Sequence, residues 1–541
     1  MAGRLSLRYM PAENHRLDLT VNYQKDDTPG IAFMSRLFPN TLGEMDIFNY
    51  RASLEQGGNL GTGKDLFDAT LNYKYNLNEH TYLSSITSFR KAASSARWDG
   101  DGTAAPAIDM WEDAGSDQFY QEFRLNFSIN SRIHGVTGLS YWHENADDTY
   151  WFSPNEQSMA FLFLNPAYLV LPDGQPMLMP ALPDDPQLGP LAGMSLTSNH
   201  LESNYSAAVN QAAEAFFDVT YQLTGNLFVS GGLRFSYEDF QLSNEAVFED
   251  GSPSTLGMLT GNYPNLFFRP GPVKTMDDNS FSANWQAGLQ YRINERTNVF
   301  ANYSNGRRPK VLQYTSTGTP EVIPAERIDN YEAGLKTELS GKVFLDAVAF
   351  YQKYSNFQTR AWVADPGSGE FDYLTLNGGM ASSIGIETSA KAMVLKGLEL
   401  FGNYSFLDAT FDDTNEDGSE QEYAGNTLRL SPKHSITLGF NSQVRIARNL
   451  IAFANPSFIY RSHVYFEDAN TEGLEQDGYG LLNINFGIEL EKPDIILSFF
   501  GTNLLKESFI TSAGNTGSLF GVPTYVPGAP RMIGTRLLWN F

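Results

Sequence analysis

The sequence contains no cysteine in its 541 residues, which excludes disulfide scaffolds, thiolate metal sites and cysteine nucleophiles. It has no run of about 18 apolar residues, so a transmembrane helix is excluded as well. Basic residues are outnumbered, because 37 Lys and Arg stand against 62 Asp and Glu, for a formal net charge of −25. Binding nucleic acid through its phosphates requires the opposite balance, and we expect no nucleic-acid partner.

Charged residues are also scarce, at 18% of the chain against about 25% in ordinary globular domains. Aromatic residues, by contrast, are plentiful: 38 Phe, 27 Tyr and 7 Trp, together with 47 Gly. This composition, without long apolar runs, indicates an all-β chain that has two kinds of surface.

Strict alternation of apolar and polar residues is the dominant pattern, and it is typical of strands with one apolar and one polar face. Trp285 and Leu289, for example, alternate with Asn284, Gln286 and Gln290. About nineteen segments follow this template, at residues 4–10, 16–26, 64–76, 81–98, 116–128, 132–150, 207–222, 227–246, 280–293, 297–307, 326–339, 343–357, 382–395, 398–411, 434–445, 449–463, 479–490, 495–503 and 531–541.

The connections between these segments alternate in length. They are tight after odd-numbered strands, as at 224–226, and long after even-numbered strands, as at 151–204, 247–279 and 504–530. This asymmetry is typical of outer-membrane barrels. The expected fold is therefore an antiparallel transmembrane β-barrel with short periplasmic turns and long extracellular loops. We expect Trp285, Leu289, Leu71 and Ile484 to face lipid, and Asn284, Gln286, Asn72 and Asn485 to face the lumen.

Aromatic residues recur at one height, directly before the tight turns: Tyr9, Tyr75, Phe127, Tyr221 and Tyr291. A general preference of aromatics for strands is the alternative explanation, but it does not account for the shared height. The pattern predicts an aromatic girdle at the membrane surface, and therefore outer-membrane lipid as a partner.

Several sequence blocks carry a resemblance to a known family. They are SNGRRP at 304–309, PAE at 324–326 with NYEAGLK at 330–336, GIE at 385–387 with GLEL at 397–400, GTNLL at 501–505, and the final strand from Pro530 to Phe541. In this order and spacing, the chain from about Ala2 to Phe541 resembles the barrel of TonB-dependent outer-membrane receptors. The motif at 304–309 departs from the family's aromatic, since Arg307 stands in its place.

The resemblance implies uptake of a scarce, bulky solute across the outer membrane of a Gram-negative bacterium. An iron–siderophore complex is the commonest case, and the small-molecule ligand is then a metal chelate. It also implies that terminal Phe541 engages the barrel-assembly machinery. A passive porin-like channel and uptake of carbohydrate or another nutrient stay open, and a soluble β-rich carbohydrate-binding protein or hydrolase is a more distant alternative.

Family barrels have 22 strands, a plug and a TonB-contacting segment. The first strand here resembles the family's fourth barrel strand, and residues 1–10 lack the apolar core of a signal peptide. We therefore expect residues 1–541 to form one barrel domain that is truncated at its N-terminus and lacks the plug, with TonB engaged only through the missing part. The first and last strands run in the same direction, so an open seam, a parallel pair or borrowed strands must result; we expect these two strands to lie near each other.

The sequence has no motif for catalysis or for a cofactor, and we expect neither an enzyme nor a resident cofactor. Ligand-gripping candidates are the loop aromatics Trp151, Phe152 and Trp362 and the anion-attracting pair Arg307 and Arg308. Loop packing is the alternative role of the aromatics, and salt bridging that of the arginines.

A weak calcium motif occupies one long loop. Asp413, Asn415 and Asp417 match the first half of a D-x-N-x-D-G loop, but Ala424 stands where the bidentate glutamate is needed. A solvated acidic loop is the alternative, and we expect no firm metal site.

Overall fold

The computed structural model describes residues 1–54, 60–164, 169–171, 174–365, 370–518 and 520–540. Its main element is one sheet of nineteen antiparallel strands. In chain order, β1 to β19 are Ala2–Ala12, His15–Thr28, Gly61–Asn78, Thr81–Asp99, Ile108–Ser128, Ile133–Pro154, His200–Gln222, Leu227–Gly251, Lys274–Asn294, Thr297–Arg308, Glu326–Leu339, Val343–Ser355, Ala381–Leu395, Leu398–Phe411, His434–Ala447, Leu450–Arg461, Tyr479–Glu491, Asp494–Thr502 and Met532–Trp539.

The long connections carry the remaining elements. The helices are α1 (Glu156–Leu164), α2 (Gly257–Thr260) and α3 (Asn515–Ser518), with 3₁₀ turns at Ile47–Asn49 and Pro186–Leu191. Within the described ranges, none of the helices has the length and apolarity needed to cross a membrane. Short strands lie at Met34–Ser35, Val311–Tyr314, Pro320–Ile323, Gln358–Asp365, Glu370–Asn377, Val464–Tyr465, Glu475–Gln476, Ile510–Gly514 and Thr524–Pro527.

The structure confirms the predicted all-β fold, its nineteen strands and the alternation of tight and long connections. Several strands are longer than expected. β5, for example, begins at Ile108 and not near residue 116. Above Phe119 the outer face of β5 carries Asp117, Gly115 and Asp113, so the apolar-out template fails although the ladder continues.

The outer face of the sheet carries two aromatic girdles. Near the tight turns, Tyr9, Tyr221 and Tyr291 are exposed, and near the long connections Phe281 and Tyr331 are exposed. Phe281 and Tyr291 stand ten residues apart on β9, which is about 33 Å along a strand. A strand tilt of about 40° reduces this to about 25 Å, the height of the apolar band of an outer-membrane barrel.

The wall of the barrel is tall on one side and low on the other. Strands β3 to β9 have 18 to 25 residues, whereas β10 to β19 have 8 to 15. Above Tyr141 and Tyr237 the outer face of the tall side becomes polar, with His143, Gln211 and Asp239 in successive strands. The tall side therefore projects beyond the membrane and forms part of the extracellular mouth.

The inner face has a repeated joint between phenylalanine and glycine. In each joint a Phe lies directly opposite a Gly of the neighbouring strand, and a Cβ on that Gly would come within 3 Å of the ring. The glycine lets the ring lie flat on the wall, which is a known device for covering strand glycines. The pairs are Phe216–Gly138, Phe300–Gly334, Phe350–Gly385, Phe401–Gly439, Phe453–Gly487 and Phe500–Gly534.

The sheet has two free edges. Among the described strands, no hydrogen-bonded ladder joins β1 to β19. Every residue of β1 is exposed, including Leu5 and Leu7, and so are Ile533 and Leu537 of β19. The parallel pair considered above is therefore not formed, and the seam is open.

The facing of the side chains can be tested at the middle of the apolar band. Leu71 is 37% exposed and lies midway between the aromatic residues Phe67 and Tyr75 of β3, while its neighbour Asn72 points inward, opposite Asp18. Leu71→Arg should destabilise the barrel in a bilayer, lowering its free energy of unfolding by about 2–4 kcal/mol. Asn72→Arg should change it little. Urea titration of both variants in liposomes measures this, and equal losses would contradict the assignment.

The phenylalanine–glycine joints predict an overpacking penalty. A Cβ at Gly385 would clash with the Phe350 ring and would lie 2.7 Å from the carbonyl oxygen of Phe406. Gly385→Ala should therefore destabilise the barrel by about 1–3 kcal/mol. Gly225→Ala, in a turn with no atom within 4 Å, is the matched control. If the two variants unfold at the same urea concentration, the joint has no energetic role.

Candidate ligand-capture surface

The long connections fold onto one another as a structured cap beside the tall wall. We call its apolar centre the loop core; it is built from the connections 100–107, 155–199, 252–273 and 503–531. Fully buried members come from all four connections, which fixes their relative positions. They include Ala105, Met159, Leu169, Leu256, Leu266 and Val522.

Two buried carboxylates hold the backbone of the loop core. Glu156 opens α1 and accepts hydrogen bonds from the backbone N–H groups of Thr197, Thr255 and Leu256 and from the Ser254 hydroxyl. Asp101 accepts from the N–H groups of Thr103 and Ile108. Burial raises the pKa of Asp101 to about 6, against the lowering effect of these hydrogen bonds. Glu156 thus satisfies N–H groups of the loops, and Asp101 satisfies those of the 100–107 connection and of the first residue of β5.

The two predicted aromatics of β6 point to opposite faces. Trp151 lies on the outer face, stacked on Trp111 at 5.9 Å, and Arg97 covers the Trp111 ring. Phe152 points the other way and packs against Phe267 and Phe268 at 5.3 and 5.1 Å. The structure therefore places Phe152 against the loop core and Trp151 on the outer wall.

The two predicted arginines both have partners. Arg307 bonds to Glu238 and Ser280, and Arg308 donates to the Gln358 carbonyl oxygen at 3.4 Å. The ladder between β9 and β10 ends at Gln286 and Ser304. Arg307 therefore bridges the gap that opens above the end of that ladder, in line with the salt-bridging alternative.

The remaining predicted residues lie on the low side of the mouth. Trp362 belongs to the strand Gln358–Asp365, but its side chain is outside the described part of the structure. Asp417 accepts from the Ser419 N–H and hydroxyl, which lowers its pKa, and Asn415 donates to the Ser419 hydroxyl. Among the described residues, no three histidine or acidic side chains are grouped as a metal site, so the calcium hypothesis, which includes Asp413, gains no support.

Three neighbouring connections form what we call the acidic rim: 356–380, 412–433 and 462–478. They hold 14 acidic and 3 basic residues, and all nine long connections together hold 24 acidic and 9 basic residues. Side chains tie the three together, because Asp468 bonds to the Thr359 hydroxyl and the Arg429 N–H, and Gln421 bonds to Met380. The rim is therefore one surface and not three separate loops.

The basic residues of the acidic rim are already engaged. Arg429 lies 3.8 Å from Asp468, Lys433 lies 3.3 Å from Asp408 of β14, and Arg360 covers the Tyr373 ring. The surplus carboxylates Asp413, Glu416, Glu420, Glu422 and Glu472 are exposed. The rim thus presents a negative field to solutes approaching the mouth.

The tall wall adds acidic groups on its inner face, above the membrane. Burial and the charge of nearby Glu112 raise the pKa of Asp148 to about 7. Burial also raises the pKa of Tyr150. Near neutral pH this part of the wall therefore exchanges a proton, and a cation beside it would favour the charged form.

Sequence reasoning missed the residues that organise this surface. Glu156, Asp101 and Asp468 are three of many acidic residues, and no motif distinguishes them. A hint was available for Glu156, since an acidic residue opening an apolar helical segment is a favourable N-terminal placement. The local excess of acid at 412–422 was visible, but its union with the neighbouring loops depends on tertiary contacts.

Comparison with known proteins agrees with this architecture. Residues 3–504 match the family described as TonB dependent receptor-like, beta-barrel. The catecholate siderophore receptor Fiu of Escherichia coli K12 is 23% identical over 326 residues, which is 58% of this chain and 39% of that protein. The pesticin receptor of Yersinia pestis is 25% identical over 328 residues, 58% of this chain and 42% of that protein. The chain thus matches less than half the length of these relatives.

Among solved structures, the ferric yersiniabactin uptake receptor FyuA from Yersinia pestis superimposes with a TM-score of 0.75 at 16% identity. The superposition covers 99% of this chain and 70% of that one. At this identity the likeness shows the fold alone.

The different surroundings of Trp151 and Phe152 give a test. Phe152→Ala should cost about 3–5 kcal/mol of local stability, because it removes a large side chain from the loop core. Trp151→Ala should cost less, because it removes an aromatic pair, worth about 0.5–1.5 kcal/mol beyond its buried area, and no contact in the loop core. Hydrogen exchange of residues 252–268 measures both. Faster exchange in the Trp151 variant than in the Phe152 variant would contradict this placement.

Proposed function

The chain belongs to the TonB-dependent receptor β-barrel family, and from that premise we propose that it captures a metal chelate at the cell surface for uptake across the outer membrane. Family members are transport receptors located in the outer membrane of Gram-negative bacteria. The observation that carries the proposal is the cap of loops, ordered by buried carboxylates, beside a barrel whose inner face is polar.

An iron–siderophore complex is the cargo that the relatives favour. The names of similar proteins specify a catecholate siderophore receptor and a ferric yersiniabactin uptake receptor. We extend the siderophore class to this chain as a proposal. We also propose that uptake by the whole receptor is energised through TonB, as the family relationship implies.

The charge of the mouth narrows the class of chelate. An acidic rim raises the local concentration of cations and lowers that of anions. A ferric tris-catecholate carries three negative charges, whereas a ferric trihydroxamate is neutral, and an added ammonium group makes it cationic. We therefore propose that neutral or cationic chelates are captured in preference to anionic ones.

Binding measurements with a panel of ferric complexes test the function and the charge preference separately. Quenching of tryptophan fluorescence in detergent micelles should show about tenfold or greater preference for the cationic trihydroxamate over the tris-catecholate at low salt. The preference should shrink as ionic strength rises, because salt screens surface charge. Binding of none of the complexes would contradict the chelate function, and preference for the anion would contradict only the charge argument.

Charge-removing variants of the acidic rim test whether the rim causes the preference for cations. Replacing Asp413, Glu416, Glu420, Glu422 and Glu472 by their amides should reduce the cation preference several-fold without unfolding, since these residues are exposed. The same change at Glu13 and Glu79, in tight turns on the opposite side, should leave it unaltered. Equal effects of the two variants would contradict a role for the rim. Uptake that persists in cells without TonB would favour the passive-channel alternative.

A further inference from the structure

A histidine and a glutamate are completely buried where β7 begins, at the base of the loop core. The side chains of His200 and Glu202 have no exposed surface, and the Nε2 atom of His200 lies 2.9 Å from the Oε2 atom of Glu202. The Nδ1 atom of His200 lies 2.9 Å from the carbonyl oxygen of Ser252. The imidazole therefore stands between two oxygen acceptors. We call these three residues the His200 cluster.

The geometry of the His200 cluster fixes the number of protons. The Ser252 carbonyl can only accept, so Nδ1 must carry a hydrogen. A neutral imidazole would then present the lone pair of Nε2 to the Glu202 oxygen, which would be repulsive. A second proton must therefore lie between Nε2 and Oε2, as an imidazolium beside a carboxylate or as a neutral imidazole beside a carboxylic acid.

Glu202 connects this proton to the 252–273 connection. Its oxygens also accept hydrogen bonds from the backbone N–H groups of Leu266, Phe267 and Phe268, at 2.6, 2.9 and 3.2 Å. Phe267 and Phe268 are the residues that pack on Phe152. The His200 cluster thus attaches the aromatic side of the loop core to the barrel wall.

The charged groups around the imidazole are acidic. Glu202 faces it from β7, Glu156 acts on it from α1, and the Phe248 ring of β8 packs 5.6 Å away. Within the described ranges, no lysine or arginine forms an ion pair with either glutamate. Loss of the shared proton would therefore leave two buried carboxylates without a cation.

We propose that the proton shared by His200 and Glu202 fastens the 252–273 connection to β7, and that alkaline pH releases this connection and loosens the loop core. Burial disfavours the imidazolium, but the hydrogen bonds to Glu202 and to the Ser252 carbonyl outweigh it and raise the pKa of His200. Because the folded pKa is raised, the stabilisation is complete below the ordinary value of about 6.5 and is lost as pH rises through the folded value.

Hydrogen exchange of the whole chain in micelles, at a series of pH values from about 6 to 10, tests this proposal. After correction for intrinsic exchange, protection of the Leu266, Phe267 and Phe268 amides should be progressively lost from the acidic to the alkaline end of the series. The Leu428 amide donates to the Ala409 carbonyl oxygen and lies in a different apolar cluster from the loop core, so it should keep constant protection. Constant protection at residues 266–268 would overturn the proposal.

Two variants show whether the proton belongs to this pair. His200→Gln can still donate to one oxygen but does not titrate in this range, so the pH dependence at 266–268 should disappear. His80→Gln, at an exposed turn residue, should retain it. If His200→Gln unfolds the loop core, Glu202→Gln provides the second test, because it keeps the size of the side chain and removes the acid. A pH dependence that survives in Glu202→Gln would overturn the proposal.

Discussion

Backbone hydrogen bonding in lipid is the constraint on which the rest of this structure depends. Each N–H and C=O group in the bilayer needs a partner within the protein, since an unsatisfied group there costs several kcal/mol. Eighteen successive antiparallel ladders meet this need from β1 to β19. The free edges do not, and they run in the same direction. Closure by antiparallel pairs alone would require an odd number of further strands, because each added strand reverses direction.

The same requirement shapes the mouth, where strands give way to loops. Connections as long as 155–199 bury backbone that has no ladder, and buried side-chain carboxylates replace the ladder there. Glu156 satisfies three backbone N–H groups, and Glu202 satisfies three more. An anion that accepts hydrogen bonds from several N–H donors is a strong anchor for loop backbone.

The sequence was most informative where one residue pattern recurs in strand after strand. Alternation around Trp285 and Asn284 predicted which face is apolar. The alternation of tight and long connections predicted antiparallel strands with turns on one side and loops on the other. The template underestimated β5, because its outer face turns polar at Asp117 while the ladder continues. Partners across the fold could not be predicted. Nothing local distinguishes Arg307, which bridges to Glu238, from an arginine free to bind a ligand.

The distribution of charge connects the membrane-spanning wall, the cap and the acidic rim. The lipid band leaves little room for charge, so the surplus of acid collects where water is available, with 24 acidic and 9 basic residues in the long connections. Part of it lies inside, as buried carboxylates that organise the cap by accepting hydrogen bonds from backbone N–H groups. The rest is exposed on the low side of the mouth. The tall wall and the cap therefore supply shape on one side, while the acidic rim supplies charge on the other, and a solute entering between them meets both.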